Sequence, residues 1–104
     1  CINTGGEKVY PEEVEECLKL HPAVADAAVV GVPDDKWGEA ITALVEPHPG
    51  STLDGAELIA HVKSKLAAYK APKAVVIVDT IGRSPNGKLD YKKLRSDAMA
   101  EPAV

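Results

Sequence analysis

VADAAVVGVPDDKWGEAITALVE, residues 24–46, decides the fold. Val24 to Val32 is rich in Val and Ala and is bounded by Pro22 and Pro33, which reads as a buried strand. Pro33-Asp34-Asp35-Lys36 reads as a turn, and a second strand follows from about Glu39 to Glu46. Pro47, Pro49 and Gly50 then break the chain.

Upstream, Ile2 to Val9 is a polar segment with a turn centred on Gly5-Gly6. A helix should begin at Tyr10-Pro11, because proline suits the first helical turn and Glu12 and Glu13 complement the positive end of the dipole. Val14, Cys17 and Leu18 give it an apolar stripe, and His21-Pro22 ends it. Downstream, Ser51, Thr52 or Asp54 can cap a second helix with Leu58, Ile59, Val62 and Leu66 on one face and His61, Lys63 and Lys65 elsewhere. Ala71-Pro72 stops that helix. Lys73 to Asp79 reads as a third strong strand, Gly82 to Lys88 as a polar loop, and about Asp90 to Ala98 as a last short helix. The order is α+β: a small sheet of about three main strands, plus the N-terminal β-turn segment, packed with three helices. Residues 99–104 are expected to fray.

The 104 residues allow one domain with a modest core. Its composition is that of a folded globular chain. Only four aromatics are present, Trp37, Tyr10, Tyr69 and Tyr91, which argues against a stacking platform for single-stranded nucleic acid. No stretch is apolar enough for a membrane span, and no signal peptide pattern is present. Cys1 and Cys17 lack metal or redox spacing and read as reduced thiols of a cytoplasmic protein. The chain starts at Cys1 and its one methionine is Met99, so a piece of a longer protein is expected.

The net charge of −4 is unevenly distributed: residues 1–60 hold 12 acids and 3 bases, residues 61–104 hold 4 acids and 9 bases. The second half therefore suits an anionic partner, and bases interspersed with apolar residues fit a phosphate-bearing small molecule better than a duplex. Gly82-Arg83-Ser84-Pro85-Asn86-Gly87-Lys88 has the glycine and lysine positions of a P-loop. However, Leu89 stands where a magnesium-binding Ser or Thr belongs, and Pro85 removes a backbone donor. What remains is a lysine on a glycine-flexed loop beside Arg83.

Several motifs in series carry a resemblance. Gly5-Gly6-Glu7-Lys8-Val9-Tyr10-Pro11-Glu12-Glu13-Val14-Glu15 resembles the segment that opens the C-terminal domain of adenylate-forming enzymes, the acyl-CoA synthetase superfamily. Val29-Val30-Gly31-Val32-Pro33-Asp34 with Trp37-Gly38-Glu39 is similar to that family's middle pattern. Tyr69-Lys70-Ala71-Pro72-Lys73 is similar to its next block, and Ser84-Pro85-Asn86-Gly87-Lys88-Leu89-Asp90 resembles its terminal Gly-Lys motif. The resemblance spans residues 1 to 98, in order.

It implies a mobile lid that closes over a larger N-terminal domain, the lid's principal partner. The implied reaction joins a carboxylic acid to CoA, using ATP with Mg2+, through an acyl-adenylate. It further implies that Lys88 is the catalytic lysine of adenylation, with Arg83 and Gly87 beside the nucleotide. Gly5, Gly6 and Glu7 would line the pantetheine tunnel, and Trp37, Lys70 and Lys73 would meet the CoA nucleotide. For Trp37 a core position, and for Lys70 and Lys73 a solvated surface, stay open as alternatives. Ala71 stands where some relatives carry Arg. Neither a resident metal nor a nucleic acid partner is implied, and the lid alone is expected to fold without a cofactor or activity. The protein is expected in the cytoplasm, with peripheral membrane contact of the full-length protein left open, and Lys88 would be open to acetylation. A lid that serves a carrier-protein thiol and an unrelated anion-binding α+β module are the alternatives.

Overall fold

A computed structural model describes residues 1–100. Its elements follow the order β1 (Ile2–Thr4), β2 (Glu7–Val9), α1 (Pro11–Lys19), β3 (Val24–Asp34), β4 (Gly38–Pro47), α2 (Gly55–Lys65), β5 (Ala74–Ile77) and α3 (Tyr91–Ala100), with a short 3-10 turn at Ala68–Lys70. The expected tail falls partly on α3, which continues through Met99 to Ala100, and partly on residues 101–104, which lie outside the described residues.

β4 is the centre of the sheet. It pairs antiparallel with β3 from Val24↔Pro47 to Asp34↔Gly38, and parallel with β5 from Thr42↔Ala74 to Val45↔Ile77. The β1–β2 hairpin joins the same sheet through Thr4↔Gly38. The three expected strands are thus the three long ones of a five-stranded sheet. β3 and β4 run closer together than the sequence suggested: Pro33 and Asp34 lie in the strand, leaving Asp35 to Trp37 as the connection. Asp34 shapes it, its Oδ1 accepting the N–H groups of Lys36 (2.8 Å) and Trp37 (2.9 Å).

Both faces of the sheet are covered, which explains strand runs that are apolar at consecutive rather than alternate positions. Ala27, Val29, Ile41, Ala43, Val45 and Val75 face α1 and α2, where they meet Val14, Cys17, Leu18, Leu58 and Val62. Ala28, Val30, Leu44 and Val76 face the other way, toward Ile81, Leu94 and Ala98. α2 takes its N-cap from Asp54, whose Oδ1 accepts the Ala56 N–H at 2.9 Å. His61, expected off the apolar face, closes the seam with α1 by hydrogen-bonding through Nε2 to the Cys17 carbonyl (2.8 Å).

Candidate functional site

The connection from β5 to α3 carries the Gly-Lys motif, and its shape is dictated locally. Ser84-Pro85-Asn86-Gly87 closes a tight turn in which the Gly87 N–H donates to the Ser84 carbonyl at 2.8 Å. Pro85 occupies the second turn position, where its fixed φ is an advantage. Gly87 then takes φ +81°, the left-handed residue that lets the Ser84 N–H reach the Lys88 carbonyl at 3.0 Å. The Ser84 hydroxyl accepts the Lys88 N–H at 3.2 Å. Lys88 is exposed, and its ammonium has no hydrogen-bond or ion-pair partner among the described residues. It borders an open hollow of about 430 Å³ also lined by Glu12, Glu15, Glu16, Lys19 and Arg83.

Arg83 is already engaged. Its Nε and one terminal nitrogen grip the two carboxylate oxygens of Asp26 at 2.7 and 2.8 Å, and the other terminal nitrogen donates to the Gly87 carbonyl at 3.1 Å. Burial alone would raise the Asp26 carboxyl, but the Arg83 hydrogen bonds, the Ala27 amide and the guanidinium charge outweigh it and hold Asp26 below its ordinary value.

Sequence reasoning missed Glu15, which sits in a run of acids that reads as a solvated face. It is only 4% exposed. Its Oε2 accepts the Val29 N–H of β3 at 2.9 Å, and the Tyr91 hydroxyl of α3 donates to the same carboxylate at 2.9 Å. Burial pushes the Glu15 carboxyl above its ordinary 4.5, against the lowering effect of those hydrogen bonds. The native state therefore binds the proton more tightly than the unfolded chain does. This contribution to stability is full below pH 4.5 and is lost as pH rises through the raised native value. Asp26 works in the opposite sense, losing stability as pH falls below 3.8. Glu15→Gln is expected to flatten the decline above pH 4.5 and leave the acid-side loss intact, as read from urea unfolding across pH. Tyr91→Phe, which strips a donor from a buried charge, should cost about 1–3 kcal/mol in the same assay.

A second cluster forms at the other end of β3. Gly5 and Gly6, at φ +57° and +86°, make the two-residue turn of the β1–β2 hairpin. The Gly5 N–H donates to the Trp37 carbonyl at 2.9 Å. A Cβ on Gly5 would stand 3.0 Å from Trp37 Cε3, so only glycine lets the indole lie against the turn. Lys73 and Lys36 place their ammonium groups 4.7 and 5.2 Å from the centre of that indole. Trp37 is half-buried at the surface rather than in either core. Gly5, Gly6, Trp37 and Lys73 are brought together, and Glu7 follows on the exposed side of the turn. Lys36 joins them, a residue whose place in a turn gave no signal in sequence. Lys70 does not join: it is paired with Glu13 of α1 at 2.6 Å.

Comparison with known proteins places the chain in a family. The AMP-binding enzyme C-terminal domain family matches residues 13–88. A 3-oxocholest-4-en-26-oate–CoA ligase of Rhodococcus rhodochrous is 53% identical over 98% of this chain, and a medium/long-chain-fatty-acid–CoA/3-oxocholest-4-en-26-oate–CoA ligase of Mycobacterium marinum is 52% identical over 98%. The chain spans 18% of the length of each. Among solved structures, the acyl-CoA synthetase of Brucella canis superposes with a TM-score of 0.88 at 36% identity, over 95% of this chain and 19% of that one. With the motifs, the sheet order and the match over most of its length in agreement, the chain belongs to the AMP-binding enzyme C-terminal domain family.

Proposed function

We propose that this chain is the mobile lid of an ATP-dependent acyl-CoA ligase, with Lys88 serving the adenylation step and the Gly5–Trp37 cluster serving CoA. The observation that carries the reading is the Lys88 ammonium, held on a closed turn and left without a partner among the described residues. In the first half-reaction a carboxylate oxygen bonds to the α-phosphorus of magnesium-bound ATP and pyrophosphate leaves. Two anions must meet, and a fixed cation aimed at the reacting oxygens stabilises the charge that develops there. In the second, the CoA thiol attacks the adenylate carbonyl and AMP departs. The close-packed Gly5-Gly6 turn gives pantetheine a flat wall, and Trp37 flanked by Lys36 and Lys73 offers a ring and two cations to the nucleotide end.

The free thiols Cys1 and Cys17 suit the reducing cytoplasm, where we place the reaction. No helix among the described residues is long and apolar enough to cross a membrane. The test is acyl-CoA formation by the full-length protein with ATP, CoA and a panel of acids. Medium- and long-chain fatty acids and a sterol side-chain acid come first, following the names of the relatives. Equal yields of acyl-CoA and AMP are expected. Transfer to a carrier-protein thiol with none to CoA would overturn the CoA assignment.

The glycine turn supplies a second check. A Cβ on Gly6 meets nothing within 4 Å, but at φ +86° a side chain strains the hairpin turn, so a substitution there both projects outward and disturbs the wall. Gly6→Val in the full-length protein is expected to slow thioester formation about tenfold or more while adenylation stays within about twofold. Single-turnover assays started from ATP or from pre-made acyl-adenylate separate the two steps.

A further inference from the structure

The GK turn contacts the body of the domain through two residues that flank it. Tyr91, just after it, is tied to Glu15. Arg83, just before it, is tied to Asp26 across 57 residues of sequence. Both carboxylates are anchored to the same strand: Asp26 belongs to β3, and Glu15 accepts the β3 amide of Val29. At the Asp26 end the β3–β4 register slips, leaving Ala25 without a partner on β4, and such bulges commonly re-aim a neighbouring side chain. The Asp26 carboxylate then receives the Arg83 fork with both oxygens, the geometry that a lysine cannot reproduce.

Arg83 makes one more bond, to the carbonyl of Gly87, and Gly87 directly precedes Lys88. Three of its five N–H groups are thereby spent inside the domain. The Asp26 side chain is 18% exposed and that of Arg83 31%, so the pair lies at the surface and its strength comes from the two-point fork rather than from burial. These facts fit poorly with an arginine reserved for a nucleotide. They fit an arginine whose work is to fix the turn.

We propose that Arg83, anchored by Asp26, is the positioning residue for Lys88: it clamps the Gly87 carbonyl to the end of β3, so that the ammonium is presented from one fixed turn. The proposal rests on the Lys88 assignment above. Without the clamp, the Ser84–Lys88 turn has no outside anchor, so it opens more often and tilts about Gly82, which has φ +75° and no neighbour that a side chain would touch.

The test uses the full-length protein with Arg83→Gln, Arg83→Lys, Asp26→Asn and the Asp26→Asn/Arg83→Gln double variant. The first readout is amide hydrogen exchange in the peptide covering residues 82–90. The second is kcat and KM for ATP in pyrophosphate exchange. Faster exchange of the Gly87 and Lys88 amides is expected, with kcat down about tenfold or more and KM for ATP within about twofold. Arg83→Lys should recover part of the loss, keeping a charge near Asp26 without the fork. The double variant should be no worse than Arg83→Gln, since both substitutions remove one interaction. A raised KM for ATP at unchanged kcat would overturn the proposal and return Arg83 to the nucleotide. Unchanged exchange in the 82–90 peptide would overturn it as well. Lys88→Ala run in parallel keeps the two readings apart: full adenylation by that variant sinks the Lys88 assignment, whereas loop exchange decides the clamp by itself. If Arg83→Gln melts early, Arg83→Lys carries both readouts.

Discussion

Lys88→Ala in the full-length protein is expected to slow adenylation about a hundred- to thousand-fold, the loss typical of a preorganised electrostatic donor of about 3–4 kcal/mol. The substitution removes an ammonium that has no hydrogen-bond or ion-pair partner among the described residues, so the turn beneath it should stand. Its backbone bonds, Gly87 N–H to Ser84 and Ser84 N–H to the Lys88 carbonyl, do not involve the side chain. The melting temperature should therefore hardly move. Thioester formation from pre-made adenylate and CoA should proceed near the normal rate. Two single-turnover assays, one per half-reaction, decide the matter. Equal slowing of both would refute an adenylation-specific role and make Lys88 a general contact of the lid. The isolated chain, which spans 18% of the length of the ligases it resembles, is expected to release no pyrophosphate.

Leu44→Ala is expected to be the most destabilising of the substitutions considered. Leu44 is fully buried and is the largest side chain that β4 sends toward α3. Its neighbours there, Ala28, Val30, Val76, Ile81, Leu94 and Ala98, are all buried around it, so the truncation leaves a cavity inside that cluster. Truncations of this kind cost about 2–5 kcal/mol. A domain with a total of about 5–15 kcal/mol would lose a large share. Urea unfolding measures the loss. Hydrogen exchange should show it first in α3 and the preceding turn, because α1 and α2 pack on the opposite face. A loss below about 1 kcal/mol would show that this face is not a packed core.

Much of this fold could be read from the sequence because the sheet is buried on both sides. Val24 to Val32, broken only at Asp26, and Ala74 to Val78 carry apolar runs, and such runs have few other uses in a short chain. Helix signals were equally local: Pro11 at the start of α1 and Asp54 capping α2. The strand bounds were less so, because Pro33 looks like a stop. Here it lies on the outer strand of the pair, where a missing N–H does no harm.

The site was legible where residues act through their immediate neighbours. Gly87 and Lys88 form a turn with Ser84, and Gly5 with Gly6 forms the hairpin, all within a few positions. Roles set by distant partners stayed hidden. Nothing near Arg83 points to Asp26, nothing near Glu15 separates it from the solvated acids Glu12 and Glu16, and Lys70 gives no sign of Glu13. A periodicity argument reports which way a side chain faces. It carries no information about what waits there 57 residues away.

β3 joins the two clusters mechanically. Asp26 seats the Arg83 clamp at one end and Asp34 shapes the Trp37 turn at the other, eight residues on, a span of about 26 Å of continuous strand. Strand β4 pairs with it over that whole length, which makes the connection stiff. Under the proposed function it behaves as a lever arm with one tool at each tip. Withdrawing the lysine and delivering the glycine turn become one movement, so the order of the two chemical steps is kept by geometry, with no signal passed between them.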